Sequence, residues 1–377
     1  MKLLCWKTAV SPPPAPWMNC CSPRPPCANC GSKKWRTNNM SSMELLKNEL
    51  FVAEMPAVSG LHFRGFQGES DYPHMVAIIN GSQEADQSEM LASVEEVATD
   101  YAHLTNCDPT TDMIFAEVNG DVVGYGRCWW NDQVDGSIAY GFFAHLLPEW
   151  RETGIRLAMV HFLKKRLRQI AADHPAEKEK TFVNWGMQAE TNWTNLLLAE
   201  GHKIVRYGLD MVRPNLDNIP DCPVPAGIEV RRGTLAEWRQ IWEGAREAFR
   251  DHWGMQEWTE TNFAAWSEYP TFNPDLWQIA WAGDEVVGGV LNFIDKKENE
   301  TFERLRGYTE TIFVRRPWRG QGVAKALIAR SFQVLKEAGM TEAALGVDAE
   351  NLSGALHLYR KMGFAEVKRH MTFHKPL

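Results

Sequence analysis

Between Glu310 and Ala338 the spacing of apolar residues changes from every second position to every third or fourth, and the switch falls on a pair of glycines. Glu310, Ile312 and Val314 alternate as a strand does, placing all three on one face. Ala324, Leu327, Ile328, Ser331, Leu335 and Ala338 then share one face at the helical period, while Lys325, Arg330 and Lys336 fall elsewhere. Gly339 supplies a C-terminal stop. The stretch Val314-Arg315-Arg316-Pro317-Trp318-Arg319-Gly320-Gln321-Gly322-Val323-Ala324 therefore predicts a strand, a glycine loop and the first turn of a helix. Ala343–Val347 reads as a second buried strand, and Asn351 to Phe364 as a short helix with polar starting residues and Gly363 as its stop.

The pattern recurs earlier in the chain. Glu117 to Gly126 parallels Ala280 to Gly289, each a strand, a tight turn and a strand. Pro148-Glu149-Trp150-Arg151-Glu152-Thr153-Gly154-Ile155-Arg156 parallels Arg316 to Ala324. A duplicated unit accounts for both. Two boundaries follow: Pro214 to Pro225, rich in proline and aspartate after the strand-like run 203–212, reads as a linker, and Gly227-Ile228-Glu229-Val230-Arg231 opens the second unit. The predicted organisation is a tail over 1–50, a first unit over 57–215, a linker over 216–226 and a second unit over 227–377.

A loop of this kind leaves backbone N–H groups aimed outward at a helix N-terminus, a site for an anionic group such as a pyrophosphate; side chains in place of the glycines would block close approach. An ordinary turn needing glycine for its backbone alone is the plainer alternative. The second half of the pattern favours the former. Arg319-Gly320-Gln321-Gly322-Val323-Ala324, followed by the Asn351-to-Tyr359 helix ending in Gly363-Phe364, resembles the hallmark of the GNAT superfamily of N-acetyltransferases. The tandem arrangement resembles the two-domain plan of the mycothiol synthases.

That resemblance implies an α/β fold of the α+β kind: two tandem domains, each a mixed, mostly antiparallel central sheet with splayed central strands, flanked by helices. It implies acetyl-CoA as cosubstrate, with the amides of Arg319, Gly320, Gln321, Gly322, Val323 and Ala324 on its pyrophosphate and the backbone of Ile312, Phe313 and Val314 along the pantetheine arm. Tyr359 stands where the family's general acid stands, neutral at pH 7 and able to protonate a leaving thiolate; a half-buried packing tyrosine is the alternative. Asn351 would cap the helix or bond the cofactor arm. Arg319 would contact phosphate or pair with a surface carboxylate.

An alkylamine with a pKa near ~10 must lose a proton before it can attack. Glu310 is the preferred base, with Asp348 and Glu350 as competitors. A backbone N–H of the Ile312–Val314 strand would face the developing oxyanion. In the first unit Glu152 and Arg156 replace Gly320 and Ala324, and Leu197 stands where the tyrosine would be, so that unit is expected to be structural; Arg151, Gly154 and Arg156 would serve packing and charge, with a grip on a CoA as the alternative. His252, Trp253, Trp258, Phe263, Trp266 and Tyr269 lie where this family shapes its acceptor pocket, and most of them read as packing residues.

Composition narrows the partners. Of the net charge of −8, residues 1–43 contribute six Lys/Arg and no Asp/Glu, leaving −14 on the remainder, which disfavours nucleic acid. The tail holds seven prolines and five of the eight cysteines and reads as disordered; Cys20, Cys21, Cys27 and Cys30 offer one Cys-x-x-Cys pair and no second, so no metal is expected. Met40 or Met43 is a candidate start. The three other cysteines, at unrelated spacings, suit reduced thiols, and with no long apolar run the expectation is a cytoplasmic protein without a membrane span. The expected reaction is direct attack of an amine, on a small molecule or a peptide, upon acetyl-CoA, without metal. A non-catalytic acyl-CoA sensor and a scaffold are the other classes weighed; the intact Tyr359 counts against the sensor.

Overall fold

The computed structural model describes residue 50, residue 52 and residues 55–377, apart from 251, 257, 352 and 353. The expectations for the cysteine-rich tail and for Met40 and Met43 lie outside the described residues.

Twelve strands form one continuous sheet. In chain order they are β1 (Leu61–Arg64), β2 (Met113–Val118), β3 (Asp121–Asp132), β4 (Ile138–Leu146), β5 (Lys180–Met187), β6 (Lys203–Arg213), β7 (Glu229–Arg232), β8 (Gln278–Ala282), β9 (Glu285–Phe293), β10 (Arg306–Val314), β11 (Glu342–Asp348) and β12 (Ala365–Pro376). The predicted hairpins are β2–β3 and β8–β9, the first turning through Asn119 and Gly120 at φ +54 and +94. The main helices are α1 (Tyr72–Gly81), α2 (Val94–Ala102), α3 (Ile155–Ala172), α4 (Thr191–Ala199), α5 (Trp238–Phe249), α6 (Glu260–Glu268), α7 (Val323–Glu337) and α8 (Ala355–Lys361).

Across the sheet the order is β1-β2-β3-β4-β5-β12-β6-β11-β10-β9-β8-β7. Two separate sheets were expected from the duplication; instead the last strand of each half is exchanged. β12 lies between β5 and β6, while β6 pairs with β11 along six residues, Ala343–Asp348 against Arg213–Gly208. The long strands β6 and β12 thus cross between halves and cover the edges that two separate sheets would leave open.

Two pairs are parallel, β4–β5 and β10–β11, and both splay. β10 pairs with β11 from Arg306 to Tyr308 alone, although β10 continues to Val314 and β11 to Asp348. Backbone groups beyond the fork have no strand to pair with, which a buried segment tolerates only with another partner.

The alternation assigned to β10 breaks at Thr311, which has φ +48. Glu310 pairs with Leu291 and Phe313 with Gly289, so β10 has one residue more than β9 between these pairs. Glu310 consequently lies on the face of Tyr308 and Phe313, which pack toward the tryptophan-rich cluster of α5, and not with Ile312 and Val314, which pack toward α7. That corrects the even alternation read from the sequence.

Helix α7 buries Val323, Leu327, Ile328, Ser331, Phe332 and Leu335, close to the predicted face, whereas Ala338 is exposed. The linker carries no regular element, yet Leu216 is buried in the core of the C-terminal half. Among the described residues, Cys107, Cys128 and Cys222 are unpaired, and no helix is long and apolar enough to cross a membrane.

Candidate functional site

The fork between β10 and β11 opens into a cavity of about 1520 Å³ whose walls come from both halves of the chain. At one end stands the predicted glycine loop. Gly320 and Gly322 have φ +75 and +92, and a Cβ built on either would meet no atom within 4 Å. Turn geometry explains the first fact and not the second: the space over the glycines is open. Among the described residues, the amides of 320–325 find no backbone acceptor, and the first bond of the helix is Ala326 N to Gly322 O at 3.1 Å. A row of free donors at a helix N-terminus, beneath open space, suits a phosphate or pyrophosphate group.

Arg319 does different work from that expected. Its guanidinium donates to Val314 O and to Ala248 O, both at 2.9 Å, tying the loop to β10 and to the end of α5. The side chain thereby braces the loop. Gln321 similarly closes the loop on itself through Pro317 O at 2.9 Å.

Tyr359, on α8, is 7% exposed, packs edge-on against Phe364, and lines the same cavity as Glu310, Ile312, Phe313, Val314, Gly320, Gly322, Val323 and Ala324. The structure therefore brings both halves of the sequence pattern together. Glu310 reaches across the fork and accepts a hydrogen bond from the Gly346 amide of β11 at 2.8 Å. Helix α8 starts later than expected, at Gly354 as N-cap, so Asn351 is not its cap. Asn351 lies in the turn after β11, with Nδ2 3.4 Å from His252 Nε2, and lines the cavity.

The competing bases fare differently. Asp348 is gripped by Arg206 of β6 through three contacts of 2.7–3.0 Å and is 6% exposed, a structural carboxylate joining the two halves. Glu350 is exposed, and its backbone carbonyl accepts from the same arginine.

The first copy of the loop is occupied by its own side chains. Arg156, standing where Ala324 stands in the second copy, is 2% exposed; its Nε donates to Ala144 O at 2.7 Å, and its other nitrogens bond Asn192 and Glu190. Ala144 on β4 corresponds to Ile312 on β10, so the guanidinium consumes the carbonyl that the second copy leaves to the fork. Arg151 forms a two-pronged pair with Asp86, and Leu197 is fully buried.

The aromatic residues divide. Trp266 is buried in the α5 cluster with Trp258 and Phe263 against it, and Tyr269 bonds Asp100 of the first half. Trp253 is half exposed and stacks on His374 of β12 with Arg206 over its ring at 4.8 Å. The loop carrying Trp253 crosses to the β3–β4 hairpin, with Val134 N bonding Met255 O at 3.2 Å and Gln133 bridged to Gln256. The cavity walls supplied by the first half, Arg127, Trp129, Asn131, Trp185 and Arg206 among them, were not anticipated: strand exchange creates that neighbourhood, and no local pattern announces it.

A sheet forked beside a row of free amides at a helix N-terminus, opening into one large cavity, is the architecture of an acyltransferase. Residues 238–364 match the Acetyltransferase (GNAT) family. It is 24% identical over 257 residues to a mycothiol acetyltransferase of Geodermatophilus obscurus, covering 67% of this chain and 78% of that protein. It is 32% identical over 96 residues to the N-alpha-acetyltransferase MAK3 of Arabidopsis thaliana, a stretch covering 26% of this chain and 48% of that one. A GCN5-related N-acetyltransferase from Sphaerobacter thermophilus superposes with a TM-score of 0.65 at 26% identity, covering 86% of this chain and 97% of the other. A tandem GNAT protein from the clavulanic acid biosynthesis pathway shares the fold, with a TM-score of 0.59 at 13% identity and coverage of 84% and 98%.

Proposed function

We propose that the second half of the chain, residues 227–377, uses acetyl-CoA to acetylate an amine of a small-molecule or peptide acceptor by direct attack, while residues 57–215, joined to it by 216–226, contribute a wall and no second donor site. The observation that carries this reading is the coincidence of free loop amides, two glycines with open space above them, Tyr359 and Glu310 around one cavity. The loop residues 319–324 would hold the pyrophosphate, and Ile312, Phe313 and Val314 would line the pantetheine arm at the fork. When bound, acetyl-CoA supplies an activated thioester.

The bulge at Thr311 assigns the two faces. Ile312 and Val314 face the α7 side, where the glycine loop begins, and Glu310 faces the α5 side, where the aromatic chamber lies. A donor entering from one face and an acceptor from the other would meet at the fork. Glu310 would then take the proton of an incoming ammonium, and Tyr359 would give one to the departing sulfur. Asn351 would orient the arm. The relatives named mycothiol acetyltransferase and N-alpha-acetyltransferase support acetyl transfer in general.

The test is release of free CoA with a panel of amines, comparing wild type with Tyr359→Phe and Glu310→Gln. The carboxamide introduced by Glu310→Gln keeps an oxygen for the Gly346 amide, so the fork stays tied. Loss of a general acid or base lowers kcat by about 10²–10⁴-fold, with the KM for acetyl-CoA little changed. Wild-type turnover by Tyr359→Phe across pH removes the assigned acid.

A further inference from the structure

Arg127 is an exception among the arginines of the first half that are not exposed. Arg64 bonds Asp71 and Glu117, Arg151 bonds Asp86, Arg156 bonds Glu190 and Arg166 bonds Asp112. Arg127, on β3, makes no hydrogen bond and no ion pair among the described residues, and its Nε and Nη1 are shut off from solvent without a partner. Its surroundings are rings: the guanidinium carbon lies 5.2 Å from the centroid of Tyr101 and 5.5 Å from those of Trp129 and Phe143.

Ring faces attract a cation, but they offer no acceptors to its five N–H donors. A guanidinium cannot shed its proton, so the charge stays; the Asp100 carboxylate, held by Tyr269, attracts it through space without bonding it. A charged group without a hydrogen-bond partner requires an explanation. It lines the cavity that also holds Glu310 and the glycine loop, beside Asn131, Trp185 and the buried Asn262. Nη2 is not among the nitrogens closed to solvent, and an oxyanion in the cavity would accept a charge-assisted hydrogen bond from it.

Building on the acetyl-transfer reading, we propose that the amine acceptor also carries an oxyanion, a carboxylate or a phosphate, and that Arg127 of the non-catalytic half receives it. The duplicated half then selects the substrate that the other half acetylates. One end of the chamber takes the negative group and the other the amine.

The experiment uses the full chain and matched acceptors: an amino acid and its carboxamide, an amino sugar and its phosphate ester. Wild type prefers the charged member of a pair by about 10–100-fold in kcat/KM, the range of a charge-assisted pair. Arg127→Met closes that gap through KM, and Arg127→Lys restores part of it. The pair that responds, carboxylate or phosphate, identifies the group. A second readout does not depend on turnover: added glutarate or inorganic phosphate raises the thermal midpoint of wild type and not of Arg127→Met. Without added anion, Arg127→Met unfolds at about the same temperature, because the guanidinium removed makes no hydrogen bond to the protein.

Equal use of both members of each pair overturns the proposal. So does an Arg127→Met variant that weakens acetyl-CoA binding, or one that unfolds early without added anion, as loss of a structural cation would cause. If no amine is acetylated, the transfer reading falls, and the anion-dependent midpoint still decides the Arg127 site.

Discussion

Gly322→Ala separates a cradle from a mere turn. At φ +92 an alanine carries backbone strain of about 1–2 kcal/mol, yet its methyl group meets no atom within 4 Å, so packing adds nothing. Gly339, at the other end of α7, is a matched control: φ +85, likewise with nothing within reach of a Cβ. Both substitutions should cost the same stability. They should differ in ligand binding, because the methyl at 322 projects over amides that would face a pyrophosphate, and the one at 339 does not. Displacing a phosphate from two such donors, at ~1.5 kcal/mol each, raises the Kd by about two orders of magnitude. Thermal unfolding measures the first term and isothermal titration with acetyl-CoA the second. If Gly322→Ala binds acetyl-CoA as wild type does, the glycine serves the turn alone and the loop is not the phosphate cradle.

Acid should unfold the protein earlier than its carboxylates require. Burial pushes His202 and His370 down from 6.5 to about 4, so between those values the unfolded chain binds protons that the folded one refuses; the stabilisation is whole above pH 6.5 and lost as pH falls toward 4, at roughly 3 kcal/mol for each histidine. Urea titrations at pH 7 and pH 5 should show this fall, and His202→Gln should reduce it; pH-independent stability over that range refutes it. Separately, Arg206→Met leaves the Asp348 carboxylate buried and unpaired between the halves, which should cost about 3–5 kcal/mol and loosen the fork, read by denaturant midpoint; Arg206→Met/Asp348→Leu should recover most of the loss.

The glycine loop, helix α7 and the Tyr359 helix were legible because each is written in neighbouring residues: a period change, a stop, a motif. The hairpins were legible for the same reason. The bulge was not. Thr311 is β-branched, and nothing in its neighbourhood announces a left-handed backbone; the register of β9 against β10 forces it. The same break moved Glu310 to the opposite face from the one its spacing indicated. Arg319 looked like a phosphate ligand because charge beside a glycine loop suggests one, while its acceptors, Val314 O and Ala248 O, depend on how α5 packs. Asn351 looked like a cap because helix starts are read from polar residues, and the chain instead turns once more, to Gly354, before coiling.

Strand exchange gives the degenerate half a physical reason to persist. The groove matching the fork in this half is filled by Arg156, which bonds the Ala144 carbonyl. β11, the far wall of the fork, has no outer partner within its own half. β6 supplies that partner over six residues, and Arg206 on β6 fixes Asp348 at the end of β11 where the chain turns toward Asn351. β12 in turn leaves the second half and seals β5. Removing either half would strip a long strand from the other and leave a buried edge unpaired, at the place where the fork must stay open by a fixed amount. The duplicated sequence is thus held as one folding unit, and its first copy supplies the strand that backs the fork and part of the cavity wall.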